Sequence, residues 1–77
     1  MKLEIINILK EVRPEFDFNQ DMNFIDEGML DSFDIVSLVT NLDEHYGISI
    51  DGMDIVAENF ESVNAIVNLL TKNGVKE

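Results

Sequence analysis

Three stretches of this chain repeat apolar residues at intervals of three and four, and that spacing selects the α-helix. A helix turns once every ~3.6 residues, so such a repeat gathers its apolar side chains on one face. In the first stretch, Lys2 to Val12, the set is Leu3, Ile5, Ile6, Ile8, Leu9 and Val12. Its β-branched members lower helix propensity without cancelling the pattern. Arg13-Pro14 stops this helix, because the proline ring pushes the preceding residue out of helical geometry. The second stretch starts abruptly at Asp31-Ser32-Phe33-Asp34. There Asp31 or Ser32 can cap free N–H groups, and acids in the first turn suit the helix dipole. Ile35, Leu38, Val39, Leu42 and Tyr46 then trace one face, Phe33 and Val36 fall off it, and Gly47 closes the helix. The third stretch runs from a Ser62 cap through Val63, Ile66, Val67, Leu69 and Leu70 to Asn73-Gly74.

The intervening segments lack a helical period. Over residues 14–30, Phe16, Phe18, Met22, Phe24 and Ile25 are scattered among Asp, Asn and Gln, which predicts a long loop pinned to the core by its aromatics. A loop of that length in a compact domain usually serves a function. Gly28 marks a turn with positive φ. Ile48-Ser49-Ile50 alternates like a strand but has no partner strand, so an extended connector is expected. One short helix is predicted around Met53 to Val56. The expected architecture is all-α: three main helices plus one short helix, a long loop between helices one and two, and residues 1–77 forming one domain.

Size and charge narrow the function. A chain of 77 residues buries only about 60% of its unfolded surface, so its core is thin. With no cysteine, neither disulfides nor a Cys-based zinc site can reinforce it. Sixteen acids against five bases give a net charge of -11. Such a surface repels nucleic acid and anionic membranes; on charge alone it reads equally as steering basic protein partners or as merely keeping a small protein soluble. The apolar runs are too short for membrane insertion, and Met1 to Asn7 lacks a signal-peptide pattern, so a cytoplasmic location is expected.

Enzymatic apparatus is scarce. The single histidine, His45, stands near a helix end with no supporting nucleophile motif, so no catalytic residue is assigned. Asp51-Gly52-Met53-Asp54 lacks the ligand spacing of a calcium loop, and no metal site is expected. Ser32 remains, at the junction of a long loop and a helix N-terminus, where backbone N–H groups favour a bound or covalent phosphate. Taken alone, Asp31 or Ser32 reads more readily as a simple helix cap, the role that explains most serines at such a position.

The surrounding residues favour the first reading. Leu30-Asp31-Ser32-Phe33-Asp34, continuing into Ile35-Val36-Ser37-Leu38-Val39, resembles the modification site of acyl carrier proteins. Phe24 to Leu30, Leu42 to Ile50, and Val63 to Val67 resemble further stretches of that family in the same order, covering most of the chain. The resemblance implies an acyl-carrier-like four-helix bundle with 4′-phosphopantetheine joined to Ser32 through a phosphodiester. A phosphopantetheinyl transferase using coenzyme A and magnesium would attach it, with Asp31 orienting the serine. Phe33, Val36 and Thr40 match positions that partners touch, while Asp34, Asp43, Glu44 and Asp54 would meet basic groups on loading ligases and acyl-processing enzymes. The carrier is expected to act as a monomer and to do no chemistry itself.

Some residues depart from the fatty-acid pattern. Ser37 stands where many such carriers have Glu, Phe33 replaces the commoner Leu or Met, and Asp51 to Phe60 is longer than usual. The longer run and the Asp-Ser-Phe triplet are similar to D-alanyl carriers. A fatty-acyl cargo is expected first, a D-alanyl or peptidyl cargo second. The non-carrier alternative is an acidic helical interaction domain.

Overall fold

Among the residues described by the computed structural model, 1–19 and 22–76, the three apolar repeats form α1 (Lys2–Val12), α2 (Ser32–Tyr46) and α3 (Val63–Lys72). Positions 20 and 21, inside the predicted loop, lie outside the described residues. No described helix is long and apolar enough to cross a membrane.

The helices bury the faces that their spacing selects. Ile5, Ile8 and Leu9 of α1 meet Ile35, Leu38, Val39 and Leu42 of α2 and Ile66, Leu69 and Leu70 of α3 in one core. Each large apolar side chain fully buried there contributes about 1.5–3 kcal/mol. Leu3 departs from its predicted stripe: it is 69% exposed at the first turn of α1. Gly47 ends α2 with φ 64° and donates its N–H to the Asp43 carbonyl, a conformation that costs glycine little.

The predicted short helix over Met53–Val56 is corrected to two 3-10 turns, Gly52–Asp54 and Ala57–Asn59. The hydrogen bonds explain the interruption. Asp51 accepts the Met53 N–H at 2.9 Å, and Ile55 N–H reaches only to the Gly52 carbonyl, at 3.2 Å. The Asp54 carbonyl, which an α-helix would offer to residue 58, accepts the Asn59 side-chain amide at 2.7 Å. Among the described residues the fold is therefore three α-helices, with a doubly turned connector between α2 and α3 where the short helix was expected.

The loop before α2 is anchored along its described length. Phe18 and Phe24 are fully buried and meet edge to face at 5.0 Å. Phe24 N–H donates to the Glu61 carbonyl at 2.7 Å, while the Phe24 carbonyl accepts the N–H groups of Met29 at 2.8 Å and Leu30 at 3.2 Å. Asn23 Oδ1 accepts the N–H groups of Ile25 and Asp26, and Gly28 turns the chain with φ 72°. Met29 and Leu30 are then buried, which fixes where the chain emerges at Asp31.

Candidate functional site

Asp31, and not Ser32, is the N-cap of α2. Asp31 Oδ1 accepts the Asp34 N–H at 2.9 Å, and Asp34 Oδ2 accepts the Asp31 N–H at 3.0 Å, a reciprocal capping box. The Asp34 N–H is the foremost reason that the Asp31 carboxyl lies below its ordinary pKa of 3.8. The Phe33 N–H, the Asp34 carboxyl and the charge of Arg13 lower it further. Because the cap is already supplied, Ser32 is left exposed as the first residue of the helix, its hydroxyl without a hydrogen-bond partner among the described residues.

Beside the serine lies a cleft of about 410 Å³ between the start of α2 and the connector. Ile25, Leu30, Ile35, Val36, Ile55 and Ala57 line it, together with Asp31 and Ser32. Val36, in its lining, is 60% exposed, and close in the chain to other lining residues are exposed apolar groups that the core does not claim: Phe33 at 83%, Met53 at 88% and Val56 at 43%. Phe33 and Val36 thus belong to the surface and not to core packing. Met53 and Val56 were not singled out from the sequence as partner-facing. The only signal was apolar residues in a non-periodic segment, which more often means burial than exposure.

The remaining sequence-selected residues divide. Thr40 is exposed on α2, its hydroxyl donating to the Val36 carbonyl at 3.1 Å. Glu44 is exposed and lines a groove between α1 and α2 with Glu4 and Glu11. Asp43 accepts the Ile50 N–H at 3.1 Å and fastens the end of α2 to the following connector. Asp54 is held by Lys72 Nζ at 3.0 Å. Asp34 departs most from a partner-facing role: it is buried, 9% exposed, and accepts both Arg13 and the Asp31 N–H. His45 lies 3.2 Å from Glu4, away from Ser32 in sequence and bonding. No group of three or more metal-ligating side chains occurs among the described residues.

A helix N-terminus carries partial positive charge, which suits a phosphodiester on Ser32, and the apolar cleft beside it suits a flexible arm. The residues present therefore fit a phosphopantetheine group held by Ser32. The family model described as the phosphopantetheine attachment site matches residues 4–70, and the chain belongs to this family of phosphopantetheine carriers. Its domains carry a covalently attached 4′-phosphopantetheine. Among curated proteins the chain is similar to the D-alanyl carrier protein of Bacillus velezensis, with 33% identity over 73 residues, 92% of this chain and 94% of that protein. No solved structure matches the chain.

Proposed function

We propose that this protein carries an amino-acyl group, D-alanine or a small relative of it, as a thioester on phosphopantetheine attached to Ser32. The exposed Ser32, relieved of capping by Asp31, is the observation that carries the attachment. When bound, the arm supplies a terminal thiol that holds the cargo. The protein's own residues present the serine, stabilise the negative phosphodiester at a helix N-terminus and offer a docking face, while catalysis belongs to partner enzymes. Asp31 orients Ser32 for a phosphopantetheinyl transferase. Phe33, Val36, Met53 and Val56 form the apolar centre of the docking face, with Thr40 beside Val36's turn and Glu44 at the acidic rim. Rim charges of this kind set encounter rate and register more than affinity. The carrier works in the cytoplasm as a monomer with a basic-patched loading ligase.

The cargo order differs from the sequence-based expectation. Identity with a D-alanyl carrier over nearly the whole chain favours the amino-acyl cargo, as do Phe33 and the long connector. A fatty-acyl cargo is the second reading, favoured by the apolar lining of the cleft beside Ser32. Loading decides between them. The phosphopantetheinylated protein, offered D-alanine with an adenylating ligase or a fatty acid with an acyl ligase, is expected to gain a hydroxylamine-labile aminoacyl mass. A gain of fatty acyl alone selects the second reading, and loading by neither overturns the proposal.

A further inference from the structure

Arg13, the single arginine of the chain, joins the two ends of the long loop. As C-cap of α1 it donates its N–H to the Leu9 carbonyl at 2.9 Å, and its Nη1 donates to Asp34 Oδ2 at 3.1 Å across 21 positions of sequence. That same carboxylate oxygen accepts the Asp31 N–H at 3.0 Å. The guanidinium is itself held, its carbon 5.3 Å from the Phe16 ring centre and its Nε 3.1 Å from Glu15, an ion contact without hydrogen-bond alignment.

The consequence falls on Ser32. Asp31 and Asp34 place two carboxylates in one turn of a chain already at -11, and Asp34 is buried. A buried carboxylate needs a counter-charge, and Arg13 is the base that supplies one here. Without it, Asp34 gains by swinging to water, which frees the Asp31 N–H and opens the box that fixes the residues on either side of the serine. We propose that Arg13 is a positioning residue for modification of Ser32: through Asp34 it holds the capping box closed, so the serine hydroxyl meets the transferase already oriented. The inference rests on Ser32 as the attachment point.

Preorientation acts in the bound complex, so its loss lowers kcat and leaves KM, set by the docking face, nearly unchanged. The test is steady-state transfer from coenzyme A by a broad-specificity phosphopantetheinyl transferase, at a temperature well below every variant's melting point. Arg13→Ala is expected to lower kcat about tenfold, the loss of one charge-assisted hydrogen bond. Adding Asp34→Asn removes the stranded charge, keeps an oxygen for the Asp31 N–H, and is expected to restore most of that rate. Glu4→Ala, which dissolves the separate polar contact with His45, should leave kcat unaltered. If Arg13→Ala does not fold, Arg13→Lys decides, with a smaller fall in kcat and faster amide exchange at Asp31, whose N–H the Asp34 carboxylate accepts.

A parent protein that is not modified overturns the assignment of Ser32, and this inference with it. A modified parent whose Arg13 variants melt lower but keep the parent kcat overturns the positioning role alone.

Discussion

Asp31 and Asp34 hold each other's backbone: each carboxylate accepts the other's N–H, at 2.9 Å and 3.0 Å. The arrangement satisfies two of the donors that a helix leaves unpaired at its start. It also settles what the neighbouring serine does. Ser32 stands between the two acids, takes no part in the box, and keeps its hydroxyl outward at the positive end of α2.

Removing the cap should cost stability without moving the core. Asp31→Ala loses about 1 kcal/mol, a fall of roughly 4–8 °C in Tm for a domain of this size. Asp31→Asn, which can still accept an N–H, should lose less. Thermal denaturation followed by circular dichroism measures both, and an unchanged Tm for Asp31→Ala contradicts the cap.

Stability should pass through a maximum in mild acid. Asp31 lies below its ordinary 3.8, first through the Asp34 N–H, and Glu4 lies below its ordinary 4.5, first through the hydrogen bond from His45. The folded state thus favours both carboxylates in their charged form. Their stabilisation is complete above the unfolded-state values and is lost as pH falls through the lowered folded values. Self-repulsion of a chain at -11 works the other way and relaxes as acids begin to protonate. The melting temperature is expected to rise from pH 7 to about 5 and to fall below about 4. A monotonic curve across that range contradicts the balance.

Phe33 should separate binding from folding. It is 83% exposed, so Phe33→Ala is expected to change stability by less than about 0.5 kcal/mol. If the exposed apolar group anchors a partner, affinity for the transferase or ligase should weaken by about tenfold. Calorimetric titration against the loading ligase checks this, and parent-like affinity removes Phe33 from the docking face.

Phe24→Ala should do the opposite. Phe24 packs against Phe18, and its backbone joins the loop to Glu61, Met29 and Leu30. Truncation costs about 3–5 kcal/mol, a large share of the 5–15 kcal/mol that holds a small domain. A loss near 1 kcal/mol in urea denaturation shows that the loop is not anchored there.

The parts of the molecule legible in sequence were those governed by local rules. Spacing located all three α-helices at their observed bounds, and the Asp31 to Asp34 pattern located the helix start that presents Ser32. The connector was less legible because side chains decide it: Asn59 takes the Asp54 carbonyl, and no apolar period announces that exchange. The site's charges were legible as charges and not as partners. Asp34, Asp43 and Asp54 carry the same sequence signal as Glu44, yet Arg13, the Ile50 N–H and Lys72 engage them within the chain. Those contacts join residues 7 to 21 positions apart and emerge only when the helices pack.

The attachment of phosphopantetheine to Ser32 is tested most directly by intact and fragment mass spectrometry after incubation with coenzyme A, magnesium and a phosphopantetheinyl transferase, beside Ser32→Ala. The account predicts a gain of one phosphopantetheinyl unit in the parent, located on Ser32 and absent from the variant. A unit on another residue, or equal gain by Ser32→Ala, contradicts it.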